Sequence, residues 1–286
     1  MTGSLEVMAI HEMLGAARVL DLSHPYRVGM PQSPNHVPFR MTLERRHGDV
    51  IRADGGSAAN ELFVLGGHVG THMDALAHVS HTGRLHGGLR VGEVQTNNGF
   101  SRLGIDETAP YVGRAVLLDV TAVHAVDTLP PGYEVTVADL EAARDRAGIE
   151  IRPGEVILVG TGWSHRWHEK ETFIGQTGGA PGPGEAAAHW LAAHRPRAVC
   201  GETIAFEHIP AGLGHALLPV HRLMLVEAGI NIVETMNLSE LLRCGVSEFL
   251  LVLNPLNFAG ATGAPVRPLA VLPGGSGTGS NEEIHG

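Results

Sequence analysis

The chain has 286 residues, enough for one large domain or two small ones with a substantial core. It is 43% hydrophobic and 17% charged, with a formal net charge of -10 and no basic run, which argues against nucleic acid or an anionic membrane surface as a main partner. Its longest apolar runs fall far short of a membrane span.

Residues 1–17 read as a short amphipathic helical arm. The first twenty residues show no charged segment followed by an apolar one, so no secretory signal is expected. Residues 18–40 open on the apolar RVLDLSH and continue as an irregular loop, because Pro25, Pro31, Pro34 and Pro38 prevent regular structure. Strands are predicted over Glu61–Leu65, Ala115–Val120, Val156–Gly160 and Phe249–Leu253. Each is short, rich in branched or Leu residues, and bounded by Gly, Pro or Asp. Thr136-Val-Ala-Asp139 reads as a capping-box variant opening a helix to about Ala147, with Gly148 as its stop signal. Further helices are predicted over Gly184–His194 and from Leu217 to Ala228, the latter ended by Gly229. Residues 172–184 form a Gly/Pro loop that could cover a site. The tail 273–286 is expected to be disordered, and 18–272 to be a single catalytic domain. This alternation of strands and helices implies a mixed α/β fold. Cys200 and Cys244 form no spaced cluster, so a reducing, cytoplasmic compartment is expected.

The unusual count is 18 His against 20 Lys+Arg. Three of these histidines and an aspartate fall in eleven residues, His68-Val-Gly-Thr-His-Met-Asp-Ala-Leu-Ala-His78. In a straight strand His68 and His72 would stand roughly 13 Å apart, too far for one ion. Gly70 permits the bend that brings them together. Imidazole and carboxylate suit zinc, manganese or iron, and a carboxylate can bridge two ions. A lone histidine is more often a core or surface residue than a ligand, but four such groups this close predict a metal site. His78 could be a further ligand or an acid/base beside the metal. His81 and His86 are expected in a solvated loop. In the second half, Glu234 falls on the apolar face of Ile230 and Ile232. A buried carboxylate is costly unless paired or bound to a cation, so Glu234 is a ligand candidate. His221 is either a helix-surface residue or a ligand, and Glu207, His208 and His215 are weaker candidates.

The spacing His68-x-Gly-Thr-His-x-Asp-x-x-x-His78 resembles the HxGTHxDxPxH signature of the cyclase family of metal-dependent hydrolases (kynurenine formamidase and isatin hydrolase type). The MPQSPNHVPF loop, VGTGW (Val159–Trp163), the His221–Glu234 element and ATGAPVRPLAV are also similar, so the resemblance spans roughly Leu20 to Leu272. It implies a swivelling β/β/α fold with a β-barrel-like core and surrounding helices, assembled at least as a dimer. It implies Mn2+ or Zn2+, as one or two ions, on His68, His72 and Asp74, with Glu234 and His221 helping to hold a second. It also implies His78 as proton donor and acceptor. There are three departures. Leu76 stands at the signature proline. Ser33 stands about where a substrate-stacking tryptophan often sits, leaving Phe39, Trp163 or Phe206 to replace it. The His221–Glu234 spacing is one residue longer than in the formamidases.

The expected function is hydrolysis of an amide, lactam or related carbonyl of a small, cyclic molecule, using metal-activated water with His78 as acid/base. No G-x-S-x-G elbow or catalytic cysteine context points to a protein nucleophile. The alternatives are a metal-dependent lyase or cyclase and a non-catalytic metal-binding protein.

Overall fold

In the computed structural model, which describes residue 8 and residues 11–274, fifteen strands are numbered in chain order. Nine build one curled, half-barrel sheet: β1 (Arg18–Asp21), β4 (His72–Asp74), β7 (Tyr111–Asp119), β9 (Val156–Gly160), β11 (Ala198–Gly201), β12 (Asn231–Glu234), β13 (Glu248–Leu253), β14 (Gly263–Pro265) and β15 (Leu269–Leu272). Across the sheet they run β1-β15-β13-β7-β9-β11-β12-β4-β14. The central four, β7-β9-β11-β12, are parallel, and the flanking strands pair antiparallel. The remaining strands form three small pairs: β2 (Arg40–Arg45) with β3 (Asn60–Val64), β5 (Gln95–Thr96) with β6 (Gly99–Phe100), and β8 (Glu134–Val135) with β10 (Gly182–Pro183). The fold is therefore the mixed α/β class with a barrel-like core and surrounding helices.

Alternation along the strands divides the core in two. Ala115, Leu117, Val156, Leu158, Cys200 and Val233 face inward, where Leu20, Met73, Leu251, Ala264 and Ala270 from the flanking strands close on them. Val116, Leu118, Ile157, Val159, Val199 and Ile232 face the other way, onto Leu140, Ala143, Ala188, Leu191 and Leu223–Leu225 of the crossover helices. Strand β9 is buried at every position, as a parallel strand covered on both faces must be.

Thr136 caps the Val137–Ala147 helix through a reciprocal capping box with Asp139, and Gly148 ends it in the left-handed region. The Glu185–Ala193 helix follows β10. The segment predicted as a helix from Leu217 to Ala228 begins as a short α-turn, Pro219–His221, and then widens into a π-helix over Arg222–Ala228. The loop predicted over 172–184 is shorter, since Lys170–Ile174 is helical and Gly182–Pro183 is a strand. Residues 11–15 are helical, and residues 275–286 of the expected tail lie outside the described residues. Among the described residues no helix is long and apolar enough to cross a membrane.

Candidate metal centre

The signature segment is a bend followed by a strand. Gly70 adopts φ +66, and its missing Cβ leaves room for the Tyr26 ring, which would lie 2.7 Å from any β-carbon there. The Tyr26 hydroxyl, at 2.6 Å from Val69 O and 2.8 Å from Thr71 O, straps the carbonyls on both sides of the bend. Thr71, fully buried, donates to Thr235 O at 2.6 Å and accepts from His24 N at 3.0 Å. The glycine thus makes the turn, and the threonine ties it to the residue that follows Glu234. As a result the His68 and His72 rings stand 5.3 Å apart, centroid to centroid.

Strand pairing supplies the next group. In the β4–β12 register Glu234 lies opposite His72, and Ile232 opposite Asp74. His72, Asp74 and Glu234 therefore share a face, while Met73 and Val233 point into the other core. Two overlapping sets have ligand atoms within 4.8 Å of one another: His68, Asp74 and His78, and His72, Asp74 and Glu234. Asp74 belongs to both. His221, delivered by the crossover helix on this face, places Nε2 3.1 Å from Glu234 Oε1 and 3.6 Å from Asp74 Oδ2. The structure thus brings together all six residues singled out in the sequence.

The electrostatics explain what such a site requires. Asp74 is fully buried, and Glu234, His72 and His221 are nearly so. Uncompensated carboxylates there would be strongly unfavourable. Burial pushes Asp74 up, but His78, His68 and His72 outweigh it and hold its carboxyl well below the usual range. Burial and Asp74 raise Glu234, yet His221 and His72 bring it below its ordinary value. In turn His72, despite burial, is raised to about 10 by Asp74 and Glu234. His221 is likewise raised, by Glu207 and Glu234. Protons on histidine balance two buried negative charges, and a divalent cation would balance them equally well.

Hydrogen-bond geometry favours the cation. His72 Nε2, Asp74 Oδ2 and Glu234 Oε1 are buried and have no hydrogen-bond partner among the described residues. His72 Nε2 is 3.5 Å from Asp74 Oδ1 and 3.3 Å from Glu234 Oε2, so the two carboxylates that face His221 also face His72, an arrangement that a shared ion would fit. His72 Nδ1 is 2.8 Å from Gly70 O, which turns Nε2 toward the carboxylates, and an ion bound there would take the place of the Nε2 proton. The donor set, imidazole and carboxylate without sulfur, fits zinc or manganese.

His78 stacks on His68 with ring centroids 3.7 Å apart. Burial is the main cause that lowers its pKa to about 4, although Asp74 pulls the other way. It is therefore neutral at physiological pH.

Three residues that hold the site were missed or undervalued in the sequence. Tyr26 straps the bend. Glu207, ranked a weak ligand candidate, instead accepts from His221 Nδ1 at 2.6 Å. Glu202, fully buried, accepts from Thr161 N, Gly162 N and Ser164 N and from both hydroxyls, which folds the VGTGW turn around its carboxylate. Only a carboxylate in an otherwise apolar run marked these acids, and that signal does not say what they bond.

The remaining candidates make other contacts. His81 is exposed, as expected, but His86 is tucked against the π-helix, its Nδ1 3.0 Å from Val226 O. His208 bonds Gly132 O, and His215 faces Ser33 Oγ at 3.4 Å. Phe39 and Trp163 pack in one apolar cluster and Phe206 in another, and Ser33 is itself buried.

Comparison with known proteins agrees with this geometry. Residues 20–208 match the family model described as "Putative cyclase". Isatin hydrolase of Roseibium aggregatum is 28% identical over 225 residues, covering 77% of this chain and 78% of that protein. A crystal structure described as a novel cyclase superposes with a TM-score of 0.80 at 27% identity, over 92% of this chain and 91% of that one. Isatin hydrolase A from Ralstonia solanacearum gives 0.72 at 25% identity, over 94% and 97%. The signature bend, the register that sets Glu234 beside His72 and the match across residues 20–208 place this chain in the cyclase family.

Proposed function

We propose that the protein is a metal-dependent hydrolase that opens an amide, lactam or related carbonyl of a small, cyclic molecule. The observation that carries this reading is the pair of overlapping ligand sets that share Asp74, three of whose buried polar atoms have no hydrogen-bond partner among the described residues. The isatin hydrolase relative supports the choice of a cyclic amide. His68, His72 and Asp74 would hold Mn2+ or Zn2+, with Glu234 and His221 completing the site or holding a second ion. When bound, the ion supplies Lewis acidity, polarising a carbonyl and acidifying water. His78 takes a proton from the attacking water and returns it to the leaving nitrogen as the C–N bond breaks and the C–O bond forms. The catalytic unit is the single domain 18–272, and the two free thiols suit a reducing cytoplasm.

Replacing His78 by Ala should leave metal content unchanged and lower turnover about 10²- to 10⁴-fold. Full activity in His78→Ala at normal metal content would remove the acid/base role. Turnover of a panel of formamides, lactams and cyclic imides in 18O-labelled water should place label in a new carboxylate. A product without label would point to a lyase or cyclase.

We also propose a homodimer or higher homo-oligomer that buries the β2–β3 hairpin. Every residue of both strands is exposed, including Met41, Leu43, Leu62, Phe63 and Val64. A two-stranded hairpin is marginal alone and gains from cover.

A further inference from the structure

We propose that Glu207 is a positioning residue, whose buried carboxylate fixes His221 in the tautomer that faces the metal centre. The proposal rests on the reading of His221 as a metal ligand. Glu207 Oε1 lies 2.6 Å from His221 Nδ1 and accepts the His221 backbone N–H at 3.0 Å, while Oε2 accepts the Val220 N–H at 3.0 Å. Both side chains are almost completely buried. With Nδ1–H given to Glu207, the neutral ring has its lone pair on Nε2, the atom that faces Glu234 and Asp74. Ligating histidines commonly donate their second ring N–H to a carboxylate in this way, which sets ring orientation and raises basicity.

The backbone around Glu207 is built at a cost. Phe206, just before it, adopts φ +58, a conformation that bulky residues avoid. Thr235, just after Glu234, adopts φ +55 although it is β-branched. Such strain persists only where the surroundings impose it. Here Gly182 does so in part: a β-carbon there would come within 2.3 Å of Phe206 O and 2.5 Å of Glu207 C. The 206–207 peptide is wedged against bare backbone, so the carboxylate has little freedom to move.

The competing role is purely structural, with Glu207 only satisfying the two N–H groups where the crossover helix begins. The two roles separate in a double-mutant cycle, because helix capping persists when the His221 ring is gone. The full-length protein is stripped of metal and titrated with Co2+, followed by calorimetry and visible absorption. The variants are His221→Ala, Glu207→Gln, Glu207→Asp and the double variant His221→Ala/Glu207→Gln. The expected result is that His221→Ala weakens binding, and that Glu207→Gln weakens it about 10- to 100-fold with shifted absorption bands. Glu207→Asp, which keeps the charge with a shorter reach, falls between Glu207→Gln and the unaltered protein. The double variant binds no more weakly than His221→Ala. Wild-type affinity and spectrum in both Glu207 variants, with His221→Ala weakened, would overturn the Glu207 proposal alone. A Glu207→Gln loss that adds in full to that of His221→Ala would also overturn it, assigning Glu207 to scaffolding. Unchanged binding in His221→Ala would remove His221 from the ligand set, and the positioning role with it.

Discussion

At the scale of single residues, the site depends on positions where the side chain is absent or fully buried. Gly70 is the clearest. Its φ of +66 costs a residue with a β-carbon about 1–2 kcal/mol. The same β-carbon would press on the Tyr26 ring that straps the bend, and overpacking typically adds about 1–3 kcal/mol. Gly70→Ala should therefore lose about 2–5 kcal/mol of stability in urea denaturation and hold less metal, because His68 no longer folds back onto His72. An unchanged denaturation midpoint with full metal content would show that the bend does not depend on this glycine. Among the sequence-level expectations, the grouping of these side chains was the most legible part, since three imidazoles and a carboxylate within eleven residues have few other uses, and the fold does bring them together. Glu207 and Glu202 were not legible in the same way. A carboxylate's partner is decided by tertiary contacts, and both acids bond groups that are distant in sequence.

At the scale of elements, local chemistry predicted what local forces determine. Strand β9 runs over Val156–Gly160 as read, and the cap at Thr136 and stop at Gly148 bound their helix. Thr136→Ala removes the side-chain acceptor of the Asp139 N–H and one partner of the Asp139 carboxylate. It should cost about 1 kcal/mol in thermal or urea unfolding. Metal content should be unchanged, because this helix contributes no residue to the centre. A loss of metal in Thr136→Ala would mean that the helix and the site are coupled. Three features escaped the sequence. The widening of the crossover helix into a π-helix leaves no mark in an apolar pattern that also fits an α-helix. Strand β2, RMTLER, alternates only at Met41 and Leu43, too short a pattern between charged residues to mark a strand, and its pairing with β3 is interrupted by a bulge. The three-pair register of β12 with β4 was equally hidden, because closure of the sheet sets that register.

At the scale of the whole molecule, the exposed hairpin and the buried ionic cluster each predict a state in solution. Light scattering after size-exclusion chromatography should give a dimer or higher assembly. Met41→Glu with Leu43→Glu, on one face of β2, should shift it toward monomer without loss of metal. A monomeric parent protein at micromolar concentration would contradict the oligomer. The central claim is that His68, His72, Asp74 and their neighbours exist to hold a divalent ion, and Asp74 is the residue shared by both ligand sets. The most direct test is metal content per chain by mass spectrometry, on the unaltered protein and Asp74→Ala purified in parallel. One or two equivalents in the former, lost in the latter, is the predicted result. A parent protein that stays empty after incubation with zinc and manganese would contradict the account, and leave the cyclase fold without its metal chemistry.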